Sequence, residues 1–291
     1  MSKSLLSKIE DIYPSLSKSH KKIADFVLNN YEKAAYYTAA KLGAETDISE
    51  STVVRFAMHL GFEGYPEFQD ALQEDIKGQL TSLQRMEVAS YRISGEDVLT
   101  KVLTDDRASI KETLNNISRE DFKNAAEAIN SAGKIYILGI RSSAPLAEFI
   151  YFYFKMIYDN VVLIDTASAS EMFEKAFKIK KNDVCIALSF PRYSKAVVNT
   201  LDYIKDKGAK IIAITDSNSS PIVPVADYVL LAKSNMASFV DSLVAPMSLI
   251  NALIVEATMK QRDEVLDTFS ELENIWDKYD VYETSEDIIN E

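Results

Sequence analysis

The sequence predicts an α/β protein in two parts: an all-α N-terminal domain followed by a doubly wound parallel-sheet domain. Three observations carry this reading. The first 77 residues show helical periodicity alone. Further on, short apolar runs of strand length alternate with helix-period segments. Those runs are apolar throughout, the pattern of strands covered on both faces by crossover helices. A chain of 291 residues has room for roughly two domains of about 100 to 200 residues each. The expected boundaries are 1–77 for the helical domain, 78–97 for a linker, 98–262 for the sheet domain and 263–291 for an acidic helix and tail.

In the helical part, Ile23, Phe26 and Val27 recur at i, i+3, i+4, with Ser17 or Ser19 as N-cap and Asn29-Asn30 as a stop. Two shorter helices are expected over roughly Thr38 to Glu45 and Glu50 to Leu60. Ser49 is placed to cap the second by accepting an orphan amide proton. Gly61 ends that helix, and Pro66 opens the next, which runs through Phe68, Leu72 and Ile76. Periodicity weakens from Gly78 to Gly95.

Strands are expected at Lys134–Ile140, Val161–Ile164, Asp183–Ser189, Lys210–Thr215 and Asp227–Leu231. Helices are expected over Ala144 to Tyr158, Ser168 to Phe177 and Ser194 to Lys207. A long apolar helix from Phe239 to Met259 follows. Val265, Leu266, Phe269, Leu272, Ile275 and Trp276 then keep helical spacing from Glu264 to Tyr279.

Composition excludes several classes. With 47% hydrophobic residues, 8 Gly and 7 Pro, the chain is neither collagen-like nor low-complexity. Its one cysteine, Cys185, cannot form an intrachain disulfide and reads as a buried strand residue. The N-terminus shows no cationic, apolar leader, so a cytoplasmic protein is expected. No membrane partner is expected either. The most apolar stretch, Phe239 to Thr258, is broken by Asp241, Asn251 and Glu256.

A net charge of −12 argues at first against nucleic acid, whose binding normally shows as a basic surplus. Its distribution says otherwise. Residues 263–291 hold eleven acids and one base, Lys278, which leaves 31 basic against 33 acidic residues in the remainder. Within the first 41 residues seven lysines face four acids.

The segment Ser49-Glu-Ser-Thr-Val-Val-Arg-Phe-Ala-Met-His-Leu-Gly61 suits the second helix of a helix-turn-helix. Val53, Phe56, Ala57 and Leu60 can pack inward, leaving Ser49, Ser51, Thr52, Arg55 and His59 as the candidate DNA-binding residues. Hydroxyls and a helix N-terminus suit phosphate contacts, and Arg can pair bidentately with guanine. His59 and His20 have no Cys or His nearby at metal-ligand spacing, so no metal is expected.

The run from Leu42 to Phe68, with Ser-x-x-Thr-Val-Val-Arg-Phe, Leu-Gly-Phe and Tyr-Pro, closely resembles the N-terminal helix-turn-helix of the RpiR family of bacterial transcriptional regulators. The likeness continues upstream through Ser17 to Leu28 and downstream through most of the chain, which implies a sugar isomerase (SIS) domain after the linker. It implies as partners operator DNA and a small-molecule sugar phosphate, with a homodimer or homotetramer as the assembly. There are departures. Leu42-Gly43 stands where many relatives have Leu-Ala, Asp47 where they have Gly, and His59 where they have Lys. Asp tolerates the left-handed turn conformation. The lost lysine, with Glu45 and Glu50, is expected to weaken phosphate attraction.

An open parallel sheet binds ligands at the carboxyl ends of its strands. Three loops there are rich in hydroxyls: Gly139–Ser143, Ser189–Ser194 and Thr215–Pro221. Free amides at a helix start, Ser hydroxyls and an Arg make a phosphate site. The SIS resemblance matches Ser142 and Ser143 to a serine pair after the first strand. It also matches Ser189 and Ser194 to the ends of a Ser-x-Ser-Gly-x-Thr loop whose centre is here Pro191-Arg192. The candidate ligand-binding residues are therefore Ser142, Ser143, Ser189, Arg192 and Ser194.

Aldose–ketose isomerisation needs a general base and often a His. Both histidines lie in the helical part, and Glu148, Glu171 and Glu174 read as solvated helix residues. A sensor without catalytic residues or cofactor is favoured. The alternatives are an SIS-type sugar-phosphate isomerase and a regulator whose SIS domain only dimerises.

Overall fold

The computed structural model describes residues 5–76, 80–93 and 97–282. The chain divides into two compact units, Met1–Thr104 with Met236–Ser242, and Asp105–Asn235 with Leu243–Glu291.

In the first unit, helices α1 (Leu5–Ile12), α2 (Lys18–Asn29), α3 (Tyr31–Ala34), α4 (Ala39–Thr46), α5 (Glu50–His59), α6 (Tyr65–Ile76) and α7 (Ser82–Ile93) succeed one another. Each boundary has a local cause. Ser17 caps α2 by accepting the His20 amide at 3.3 Å, and Thr38 caps α4 by accepting the Lys41 amide at 3.1 Å. Asp47 closes α4 in the left-handed conformation, φ 54° and ψ 47°, as its side-chain chemistry allows. Gly61, φ 94°, ends the turn after α5. Ile23, Val27, Leu42, Val53, Phe56, Phe68, Leu72 and Ile76 are fully buried in one core.

One feature of this unit sharpens the sequence reading and another departs from it. Within the stretch expected to be a linker, in part helical, α7 is a helix and buries Val88 in the same core, while residues 77–79 and 94–96 lie outside the described residues. Residues 236–242, expected in part to open a long apolar helix, are not helical. They form a short loop closed by a Met236–Asp241 bridge and by the Ala237 amide donating to the Val240 carbonyl at 3.0 Å. Met236 joins the first unit's core, and Asp241 pairs with Arg85 of α7, both side chains almost wholly buried. Apolar spacing cannot tell which of two cores a residue will enter, so one predominantly apolar run holds both the end of this loop and a helix that begins only at Val244.

The helix α8 (Val98–Asn116) leads into the second unit. There α9 (Arg119–Asn130), β1 (Ile135–Gly139), α10 (Ala144–Phe154), β2 (Val161–Ile164), α11 (Ala169–Ala176), β3 (Val184–Leu188), α12 (Lys195–Asp206), β4 (Lys210–Thr215), β5 (Tyr228–Leu231), α13 (Val244–Met259) and α14 (Arg262–Lys278) follow. The strands form one parallel sheet in the order β2-β1-β3-β4-β5, with Ile137 paired to Leu163 and Ile186, and Ile186 to Ile212. Every residue of β1 and β3 is buried, which explains their unbroken apolar sequences. Alternate residues feed two cores. Ile137, Ile186, Ile212 and Ile214 face α9, α10 and α13, whereas Tyr136, Leu138, Cys185 and Ala213 face α11 and α12.

Burial pushes the Cys185 thiol up to about 12, so it is a protonated core residue. Nothing in α14 is buried. Its apolar residues keep helical spacing, but Leu266 and Ile275 stand open to solvent. No described helix is long and apolar enough to cross a membrane.

Candidate functional sites

In the first unit, α4 and α5 are joined by Asp47, Ile48 and Ser49. Their close approach depends on Gly43, where an added Cβ would lie 2.6 Å from the Ile48 carbonyl oxygen. Val53, Phe56 and Ala57 are fully buried, and Leu60 is half-buried. The outer face of α5 carries exposed Ser51, Arg55 and His59, with Thr52 half-buried.

Ser49 occupies the N-cap position in extended conformation, φ −67° and ψ 145°, but its hydroxyl does not cap an amide. This corrects the sequence expectation. The hydroxyl lies 2.9 Å from Thr52 Oγ1 and 3.2 Å from Ser51 Oγ, while Arg55 donates from its guanidinium to Thr52 Oγ1 at 3.1 Å. A hydroxyl relay thus replaces the cap and gathers Ser49, Ser51, Thr52 and Arg55 at the start of α5.

His59 lies farther along, its ring 5.5 Å from that of His20 on α2. Desolvation first, then the His59 and Arg55 charges, hold the His20 imidazole below its usual value, so it is neutral at pH 7.

In the second unit, the order β2-β1-β3-β4-β5 reverses direction between β1 and β3, where an open α/β sheet forms a ligand crevice. Ser142 and Ser143 follow β1, and Ser189, Arg192 and Ser194 follow β3. Ser143 and Ser194 are the N-cap residues of α10 and α12, yet neither hydroxyl caps an amide. Ser143 and Ser189 are both 4% exposed. Among the described residues neither hydroxyl has a protein partner, and neither is among the fully buried unpartnered atoms, so each still reaches solvent. Ser142 and Arg192 are exposed.

Two residues absent from the sequence-based set stand in the same loops. Arg141, the first residue of the 3-10 turn after β1, has φ 56°, a conformation costly for a residue that carries a Cβ. No side-chain pattern signals that backbone angle. Tyr193 donates to Asp216 Oδ1 at 2.9 Å, tying the loop after β3 to the end of β4. Gly139 permits the turn into α10, since a Cβ there would meet Ala147 Cβ and the Ser143 carbonyl at 2.8 Å.

The third hydroxyl-rich loop, after β4, plays another part. Thr215 Oγ1 donates to the Ser189 carbonyl at 2.6 Å and lies 2.8 Å from Ser220 Oγ, and Ser217 and Ser219 share a 2.9 Å contact. The Thr215 hydroxyl thus braces the loop of Ser189, and the Ser217 and Ser219 hydroxyls brace their own loop. The carboxylates considered as bases lie apart from this role: Glu148 and Glu174 are exposed, and Glu171 accepts a hydrogen bond from Thr166 at 2.6 Å.

Replacing Arg141 with Gly is expected to stabilise the second unit by about 0.5–1 kcal/mol, by relieving the left-handed strain. The same change removes a cation beside the serines and should weaken anion binding. A rise in melting temperature with a smaller ligand-induced shift confirms both effects; a fall in melting temperature refutes the strain.

Comparison with known proteins places these two sites in context. Residues 3–79 match the helix-turn-helix domain of the rpiR family, and residues 128–256 match the SIS domain. The chain belongs to the RpiR family of transcriptional regulators. An HTH-type transcriptional regulator of Haemophilus influenzae is 29% identical over 78% of this chain and 79% of its own length. Another from Caldanaerobacter subterraneus is 25% identical, covering 90% of this chain and 93% of that protein. Among solved structures, the NanR protein of Vibrio vulnificus complexed with ManNAc-6P has a TM-score of 0.58 at 19% identity. It covers 94% of this chain and 98% of its own. The sugar isomerase domain of an RpiR transcription factor from Sphaerobacter thermophilus gives 0.57 at 24%, covering 60% of this chain and 97% of that one. These structural likenesses show the fold. The RpiR chain is thus an HTH-type DNA-binding regulator with an SIS domain.

Proposed function

We propose that this RpiR regulator binds operator DNA through α5 and senses a phosphorylated sugar, without turning it over, at the crevice between β1 and β3. The observation that carries the second half is that Ser143 and Ser189, on the two loops that flank the crevice, each keep a hydroxyl with no protein partner among the described residues. Ser142 and Ser194, the amides at the starts of α10 and α12, and the exposed guanidiniums of Arg141 and Arg192 supply further donors for a phosphate. The ManNAc-6P complex of NanR supports an amino-sugar phosphate as one candidate. A sensor reading rests on chemistry: the crevice loops offer donors, and the second unit contains no histidine.

On DNA, Ser49, Ser51 and Thr52 contact phosphates at the start of α5, Arg55 reaches a base edge, and His59 lies toward the backbone. A homodimer sets two such helices about 34 Å apart, one helical turn of DNA. Ligand changes operator affinity only through its differential affinity for the two arrangements.

A thermal-shift panel of sugar phosphates tests the ligand half. A ligand at about 100 times its dissociation constant should add about 2.7 kcal/mol of stability, and Ser189→Ala should remove most of that shift. If no sugar phosphate shifts the melting temperature, the SIS domain serves assembly alone. Turnover of a sugar phosphate by the intact chain would make it an isomerase.

A further inference from the structure

The opposite edge of the sheet has its own chemistry. Lys134 immediately precedes β1, Lys210 opens β4, and Lys178, Lys180 and Lys181 lie in the segment between α11 and β3. Backbone pairing brings them together. The Val184 amide donates to the Lys134 carbonyl at 3.0 Å, and the Lys210 amide to the Asp183 carbonyl at 3.2 Å. Lys134 and Lys210 thus flank Asp183 on neighbouring strands, which lie roughly 4.8 Å apart.

Two adjoining cavities open there, of about 440 Å³ and 780 Å³, within the range of small-molecule sites. They share Gly133, Lys181, Asn182 and Asp183; Lys210 lines the first, and Lys134, Lys178 and Lys180 line the second.

Charge decides what such a place can hold. Asp183 is the one acid in either lining, and it is 9% exposed, its Oδ2 accepting the Lys180 amide at 2.8 Å. Among the described residues none of the five lysines is in an ion pair, whereas Lys175, Lys205 and Lys260 are each paired at 2.8 to 3.0 Å. Lys210 donates to the Tyr228 hydroxyl at 3.3 Å and lies 5.6 Å from that ring's centre, and Lys178 lies over the Phe177 ring. Five lysines and one carboxylate therefore line adjoining cavities in a chain whose net charge is −12. Repulsion among the lysines is relieved by a ligand that carries several negative charges close together, more than by a single phosphate. Phe177, 56% exposed, adds an aromatic face to the larger cavity.

We infer that this amino edge is a second ligand site, which takes a small molecule with two or more linked phosphate groups, as inorganic polyphosphate or a nucleoside polyphosphate. It stands independently of the sugar-phosphate reading, because it lies at the other ends of the strands and uses none of the same residues.

Isothermal titration of the full chain with tripolyphosphate and with adenosine triphosphate tests it. Both should bind more tightly than orthophosphate, with affinity falling as salt rises. The double variant Lys180→Gln/Lys181→Gln should lose at least about tenfold, the equivalent of about 1.4 kcal/mol. Ser189→Ala, at the other edge, and Lys123→Gln, an exposed lysine on α9, should leave binding unchanged. A Phe177→Ala loss confined to adenosine triphosphate marks the nucleoside form as the better ligand, and equal binding of both marks the phosphate chain alone. Absence of binding for both compounds overturns the site, as does an equal loss in Lys123→Gln. Displacement of tripolyphosphate by promoter DNA through these same lysines would make the edge a nucleic-acid surface instead.

Discussion

Replacing Asp241 with Ala is expected to destabilise the helical unit by about 3–5 kcal/mol, because it leaves the Arg85 guanidinium buried without its counter-charge. Side-chain exposures of 7% for Arg85 and 9% for Asp241 put the pair out of reach of solvent screening. Arg85 Nε has no hydrogen-bond partner even with Asp241 present, so the carboxylate is the main compensation for that charge. The double variant Arg85→Met/Asp241→Leu should recover most of the loss, since paired apolar side chains of similar size avoid the desolvation of both ions. Urea unfolding of the parent, Arg85→Met, Asp241→Leu and the double variant, followed by circular dichroism, supplies the four corners of the cycle. If Asp241→Ala costs less than about 1 kcal/mol, as an exposed pair would, the pair is solvated in solution.

That pair also shows where reading the sequence ran out. The strands were legible because β1 and β3 are buried on both faces and so are apolar at every position. The cap at Ser17 was legible as one of two candidate serines because its chemistry is local, whereas the cap expected at Ser49 does not form and the one at Thr38 lies on a residue read as helical. Residues 236–242 were not: Met236 and Phe239 look alike in a hydropathy pattern, yet one is buried with the first unit's helices and the other is 59% exposed. A partner 156 positions away, as Arg85 is from Asp241, leaves no periodic trace.

The site was legible in the same uneven way. Serines at strand ends can be seen as a set, but which of them keep free hydroxyls depends on tertiary contacts. The Ser189 hydroxyl has no protein partner among the described residues: Thr215 donates to its carbonyl instead, and the Ser217 and Ser219 hydroxyls contact each other. Arg141 was not legible because what sets it apart is a positive φ, which only Gly, Asn or Asp commonly announce in sequence.

Arg55→Ala is expected to abolish discrimination between operator and random DNA while leaving the sugar-phosphate thermal shift intact. Arg55 is exposed on the outer face of α5 and held by Thr52 Oγ1 at 3.1 Å, which is in turn 2.9 Å from the Ser49 hydroxyl. A guanidinium held this way loses less entropy on docking than a free one. A bidentate contact to guanine is worth about 1–3 kcal/mol of discrimination, and in a two-fold dimer both half-sites lose it. The expected cost is therefore about 2–6 kcal/mol, a fall of about 30-fold to 10⁴-fold at fixed salt. Fluorescence anisotropy on promoter and scrambled fragments, each over a range of salt, separates the possible roles. If Arg55 reads a base, promoter affinity collapses toward the scrambled value while the salt slope changes little. If it only meets a phosphate, both fragments weaken together and the slope falls by about one unit per contact. Thr52→Ala should give a smaller loss of the same kind, because it frees the guanidinium without removing it. An Arg55→Ala protein that binds its promoter as tightly as the parent would show that α5 is not the helix that enters the groove.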